Sequence, residues 1–294
     1  MGKTLTELLK KIDSRQIAQN VFLQKYGLTS LAMKLIALLT MIVDHTACVL
    51  LHRDSLYILF RGIGRLSFPI FCFVLTESFT YTRSKYKLFC RLLFFAVVSE
   101  IPFDIALYNR LFYWHSQNVI WQFVIAVAVM WCCEVLKNSN NEVVNETPGQ
   151  QYKACDDKYN KSKKEIKSIV TGWCERALYA LKKQFGQQES EIIVICIGVM
   201  CSIFGHVSYS YLGVVLIIMF YYFREHLLLQ MLANAFVNIG LAGGLQSLGT
   251  ISVLPMMMYN GKSGRLKLKW MFYLIYPLHL MALWAIYVIY HYSL

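Results

Sequence analysis

The sequence predicts an all-α, polytopic transmembrane helix bundle of about nine spans, and three observations predict it. Of 294 residues, 57% are hydrophobic and only 16% charged, with a mean hydropathy of +0.45. An ordinary soluble domain carries about 45–50% apolar and about 25% charged residues. Several apolar runs reach the roughly 17–25 residues that cross a hydrocarbon core. Lysine and arginine also alternate between loops: 24 of the 29 fall in 1–30, 81–91, 137–190, at Arg224 and in 262–269, and only Arg53 and Arg110 in the loops between. The positive-inside rule then places the N-terminus in the cytoplasm and the C-terminus outside. It also accounts for the net charge of +12 without a nucleic-acid partner.

Residues 1–28 form a basic, amphipathic cytoplasmic segment with no apolar core or cleavage site of a secretory leader, so no cleaved leader is expected. Four spans follow within 29–137, at 29–51, 56–79, 86–108 and 117–136. A polar cytoplasmic insert, 138–190, comes next. Its Asn- and Lys-rich first half predicts disorder. Its second half, EIKSIVTGWCERALYALKKQF, repeats apolar residues at helical spacing and predicts an amphipathic helix on the inner leaflet. Five spans complete the chain within 191–294, at 191–207, 209–224, 226–243, 245–259 and 270–292. The seventh and eighth are short and rich in Gly, Asn and Ser, open to a tilted, broken or re-entrant course.

The nine cysteines show no CxxC spacing, which supports neither a disulfide framework nor a zinc site. No nucleophile elbow, phosphate loop or HExxH motif is present, so no metal is expected. The informative residues are polar groups inside spans. A charge at mid-bilayer costs about 2.5–3.5 kcal/mol on insertion scales, so such groups face a polar interior and pair. With the topology above, Asp44, His45, Arg61, Arg65, Glu100 and Asp104 fall at similar depth in the outer half. Arg61 and Arg65 are four apart, as are Glu100 and Asp104, so each pair shares a helix face. That pattern predicts an ionic lattice between the two arginines and the acids. His45 is the one member that exchanges a proton near neutral pH, with Asp44 or another carboxylate to orient it. Lys34 lies about 16 Å below it. His279 is a second mid-span histidine, and Pro69, Pro102 and Pro277 interrupt spans.

The ordered strings MKLIALLTMIVDH, FRGIGRLSFPIFCFVLTESFTYTRS, RLLFFAVVSEIPFDIA, QNV, LPMMMYNGKSG and FYLIYPLHL resemble the TraX family of membrane proteins, over roughly 29–122 and 191–282. TraX is known for N-terminal acetylation of conjugative pilin, and looks related to the membrane acyltransferase-three family, which acetylates cell-surface glycans with acetyl-CoA. That larger family places a basic residue, ten others and then a histidine in its first span, as Lys34 and His45 stand here. The resemblance implies His45 as catalytic base and Arg61 and Arg65 beside the transfer site. It also implies that Lys34 contacts CoA or helps shape its channel. One departure is Ser208 before Tyr209, where relatives carry an acid.

Residues and resemblance together predict a multi-pass enzyme of the bacterial cytoplasmic membrane that transfers an acetyl group from cytoplasmic acetyl-CoA. Its partners are membrane lipids and an acceptor glycan, lipid-linked molecule or pilin-type peptide. Catalysis is expected of His45, Asp44, Glu100, Arg61 and Arg65. Lys34, Arg83, Lys85, Lys262 and Arg265 are expected to hold the CoA phosphates, and Asp104, Glu77, Tyr259, Asn260 and His279 to line the substrate pocket. A transporter or flippase, and a non-catalytic conjugation or envelope assembly factor, are the competing classes.

Overall fold

Local capping chemistry opens two of the long helices. In the computed structural model, which describes residues 25–51, 56–138, 172, 174–264 and 269–292, Thr29 opens the first helix, α1 (Ser30–Leu50), by accepting a hydrogen bond from the Ala32 amide at 3.2 Å. Helices α2 (Leu56–Gly64) and α3 (Ser67–Tyr81) together make one apolar length, Leu56–Tyr81. The chain turns tightly at Arg65 between them, and Pro69 falls in the first turn of α3, where a proline costs little. The break therefore precedes the proline. Ser84 caps α4 (Lys85–Tyr108) by accepting from the Lys87 amide, and Asn109 ends it in the left-handed conformation. Further helices are α5 (Val119–Asn138), α6 (Gln187–Phe204), α7 (Ser210–Tyr222), α8 (Leu227–Ala235), α9 (Val253–Met257) and α10 (Lys269–Tyr292).

The described residues contain no strand, only isolated bridges. Among the described residues, five lengths are long and apolar enough to cross a membrane: Ser30–Leu50, Leu56–Tyr81, Val119–Asn138, Gln187–Phe204 and Trp270–His291. Polarity runs inside out. Leu39, Ile58, Phe94 and Leu278 are exposed, whereas Asn118, Gln122, Ser202, Asn234 and Ser252 are wholly buried. That distribution suits a chain whose solvent is hydrocarbon, because buried polar groups then bond one another. Of the predicted insert helix, residues 172 and 174–185 are helical. The rest of it, the Asn- and Lys-rich stretch before it and residues 1–24 lie outside the described residues.

The chain divides into two compact units, Met1–Val127 with Cys201–Leu294, and Ala128–Met200. In the second, Lys182 donates to the Leu136 carbonyl, while Glu191 pairs with Lys137 and accepts from the Gln187 amide. In the first, α1 packs on α2, α3 and α10; α10 also packs on α4, and α3 on α7. The predicted seventh and eighth spans are broken. A π-helical stretch, Phe236–Ala242, continues α8, and a 3-10 stretch, Gly244–Ser252, leads into α9. Between them Gly243 adopts φ 63°, ψ −167°, a region in effect closed to residues with a Cβ. A tight reversal results, its two arms joined by the Asn234 amide donating to Ser252 Oγ at 3.0 Å.

Gly243→Ala is expected to lower stability by about 1–3 kcal/mol in thermal unfolding of the purified protein in detergent. Gly240→Ala, whose new methyl would meet Phe236 at an ordinary 3.5 Å, is expected to leave it unchanged or raise it by up to about 1 kcal/mol. Equal losses at both positions would contradict the assignment of Gly243 as the hinge of the reversal.

Candidate functional site

Helix α1 supplies the axis of the site. Eleven residues make three helical turns with about 20° to spare, so Lys34 and His45 share one face about 16 Å apart. Asp44 is buried on the neighbouring face. Arg61 Nη1 donates to Asp44 Oδ2 at 2.6 Å and Arg65 Nη2 to Asp44 Oδ1 at 2.5 Å, so one carboxylate holds two guanidiniums. The sequence FRGIGR permits this approach. A Cβ on Gly64 would lie 2.2 Å from Asp44 Oδ1, and one on Gly62 would lie 2.8 Å from Leu248. Arg61 also donates to Cys48 Sγ at 2.9 Å.

Arg65 reaches further, into the broken segment. Its Nη1 donates to Gln246 Oε1 at 3.2 Å, and Gln246 Nε2 donates to Asn238 Oδ1 at 2.8 Å. Asn238 Nδ2 donates to Asn234 Oδ1 at 2.8 Å. Gly249 closes against the same place, where a Cβ would stand 2.6 Å from Asn238 Oδ1 and 3.1 Å from the Arg65 carbonyl. Tyr209 stacks on Phe68 with ring centres 3.5 Å apart, within electrostatic reach of Arg65 and Asp44.

His45 turns away from this clamp toward α10. Its Nδ1 lies 2.7 Å from His279 Nε2, and His279 Nδ1 lies 2.8 Å from the Ile275 carbonyl one turn earlier. Tyr276 stands edge-on to both rings, 6.1 Å from His45 and 5.7 Å from His279. The partner of His45 is thus a histidine and not Asp44, whose two oxygens are taken by arginine.

Glu100 and Asp104 do not join the arginines; neither forms an ion pair among the described residues. Glu100 accepts from the Asn118 amide and side chain and from Trp121 Nε1 at 2.9 Å, tying α4 to the start of α5. Asp104 Oδ2 accepts from the Tyr113 amide at 2.8 Å and orders the loop between those helices. The expected lattice therefore shrinks to Asp44, Arg61 and Arg65, because backbone amides of 113 and 118 reach the two acids first.

At the Lys34 end, Leu28 and Tyr259 form a bridge, and the Ser30 amide donates to the Lys262 carbonyl at 2.8 Å. Asn260 Nδ2 donates to the Gly27 carbonyl at 2.9 Å, and Glu77 is hydrogen-bonded by Tyr259. Residues 259–262 and the Glu77 end of α3 therefore lie against residues 27–30, one turn of α1 before Lys34, while Arg83 follows α3 and Lys85 opens α4 in the chain. Glu77, Tyr259 and Asn260 belong to this end and not to a pocket at His45. Arg265 lies outside the described residues. Sequence reasoning missed Tyr209, Tyr276, Asn234, Asn238 and Gln246. The signals were available: Tyr276 precedes His279 by three residues on one helix face, and the amides interrupt an apolar run. Among the described residues, no group of three or more His, Cys, Asp and Glu side chains is placed to hold a metal ion.

The family described as TraX protein matches residues 30–145 and 170–287. A relative from Dichelobacter nodosus, described as "Probable fimbrial assembly protein FimC, serogroup H1", is 36% identical over 106 residues, covering 33% of this chain and 43% of the relative. The chain thus aligns with less than half the length of that protein. No solved structure matches it.

Removing the carboxylate should be worse than removing one arginine. Asp44→Asn leaves two guanidiniums without a counter-charge and is expected to destabilise by about 3–5 kcal/mol, whereas Arg61→Gln leaves a one-to-one pair and should cost clearly less. The check is the order of the two variants in denaturant unfolding; a reversed order excludes the clamp.

Proposed function

The chain belongs to the TraX family, and we propose that it is an integral membrane acyltransferase that moves an acetyl group from cytoplasmic acetyl-CoA to an acceptor at or beyond the outer face. In this reading nine segments cross or enter the bacterial cytoplasmic membrane, with the N-terminus inside and the C-terminus outside. Kinship with the acyltransferase-three family is part of the proposal, since Lys34 and His45 reproduce its basic-residue and histidine spacing.

The observation that carries the reading is the placement of those two residues on one face of a single unbroken helix, α1. At one end Lys34, Lys262, Arg83 and Lys85 provide cations for the phosphates of CoA. At the other, His45 is partly exposed beside two guanidiniums that share a single carboxylate. Acetyl-CoA supplies the acyl group as a thioester. His45 takes the proton that the acceptor hydroxyl or amine loses as its oxygen or nitrogen bonds to the acyl carbon. It returns that proton to the sulfur as the carbon–sulfur bond breaks, leaving free CoA thiol and acetylated acceptor. Arg61 and Arg65 face the carbonyl oxygen as it gains charge; with one carboxylate between them, they carry one surplus positive charge to offer it.

The fimbrial assembly relative favours a pilin-type peptide amine as acceptor over a glycan hydroxyl or lipid-linked molecule. A transporter or flippase is the second reading, favoured by the broken helix 227–257.

The two readings part on covalent chemistry. Inside-out vesicles bearing the chain and given radiolabelled acetyl-CoA should transfer label to an envelope acceptor. His45→Ala should reduce that transfer by about 10²-fold or more, and Lys34→Ala should raise KM for acetyl-CoA with a smaller effect on kcat. Full transfer by His45→Ala would remove the histidine from the chemistry, and label that never becomes acceptor-bound would favour the transporter.

A further inference from the structure

The contact between His45 and His279 has a direction that the flanking atoms determine. The Ile275 carbonyl only accepts, so His279 Nδ1, 2.8 Å from it, carries a hydrogen. A neutral imidazole with hydrogen on Nδ1 has its lone pair on Nε2. His45 Nδ1 lies 2.7 Å from that nitrogen, and its own hydrogen must fill the gap. The His45 hydrogen is then on Nδ1, and Nε2 is left bare.

The ring geometry agrees. The centroids are 5.0 Å apart with planes 20° from parallel. With nitrogens 2.7 Å apart, that spacing requires the contact to lie along the line of centres. The rings therefore meet end to end, nearly coplanar, in the direction an N–H bond points. Doubly protonated His279 would reverse the bond, but the neighbouring charges oppose it: Arg61 and Arg65 carry two positive charges against the single carboxylate of Asp44.

We infer that His279 is the positioning residue of the site: it holds His45 as the Nδ1–H tautomer, in the plane of their mutual hydrogen bond, and leaves His45 Nε2 as the nitrogen that accepts a proton. The relay is Ile275 carbonyl, His279, His45, acceptor. A carboxylate does this work where a base must also be made strongly cation-stabilising. Here a neutral imidazole orients the base without adding a charge to the membrane interior. The catalytic part rests on the acyltransferase reading; the tautomer does not.

The tautomer can be read without any turnover. The full chain, carrying histidine labelled with nitrogen-15, is placed in phosphatidylethanolamine–phosphatidylglycerol vesicles near neutral pH and examined by solid-state NMR, with His45→Ala identifying the resonance. Expected is a protonated Nδ1 and a bare Nε2 at His45. His279→Phe should shift His45 toward the Nε2–H form and lower kcat by about 10²-fold or more with KM for acetyl-CoA unchanged. His279→Gln, whose Oε1 accepts near the lost Nε2, should restore both the tautomer and most of kcat. An Nε2–H His45 in the unaltered chain, or His279→Phe with undiminished kcat, overturns the inference. If instead the tautomer is as stated while His45→Ala still transfers acetyl, the acyltransferase role of His45 fails and the pairing stands.

Discussion

Two guanidiniums and one carboxylate in an apolar bundle impose the strongest constraint on this chain. Unpaired, each charge would cost several kcal/mol in hydrocarbon, and Asp44 can offer one oxygen to each arginine. The cost of that arrangement is proximity. Helix α2 must lie against α1 closely enough that residue 64 has no room for a side chain. The tight turn at Arg65 follows from the same need, because it points a second arginine back at a carboxylate already engaged by the first. Once α1 and α2 are fixed, α3 continues beneath them, α10 packs on the free flank of α1, and His45 has a single neighbouring helix to face.

The fold class was legible in the sequence because hydrocarbon solvent acts on averages. Apolar length, loop charge and the polar breaks in 226–259 are sums over many residues, and they foretold an all-helical membrane protein with an irregular segment near its end. Arg61 and Arg65 were legible as a pair through their spacing of four. The partners of the acids were not. Glu100 and Asp104 have the right depth and phase to meet those arginines, yet the loop 109–118 folds back and presents amide hydrogens to them. Loop paths leave no periodic trace. Asp44 was expected beside His45 as its orienting group, but adjacent residues on a helix point about 100° apart, so one faces the arginines and the other α10.

In the proposed reading, function divides along the length of α1. A single helix that carries both Lys34 and His45 fixes the distance between them more reliably than two helices joined by a loop, since its rise is about 1.5 Å per residue. Family membership adds the context of pili, and the proposed chemistry sets a base beside surplus positive charge. Each element is ordinary alone. Their joint placement on α1, α2 and α10 is what distinguishes this chain from a bundle that is merely stable.

The amides running from Arg65 through Gln246, Asn238 and Asn234 to Ser252 all donate in one sense, away from the guanidinium. Every carbonyl in the series therefore presents its negative end toward Arg65. Water around a cation orders itself the same way, but here the orientation is held by the hydrogen-bonded row of side chains. The broken segment thus works as a frozen hydration shell for the second guanidinium, the one that half of a shared carboxylate leaves under-neutralised. Reversing one amide would set donor against donor or acceptor against acceptor along the row, so the series keeps its polarity as a unit. The glycine reversal at 243–244 brings together the two arms that carry it, and a charge fixed at the turn after α2 is in this way solvated by residues some 170 to 190 positions later in the chain.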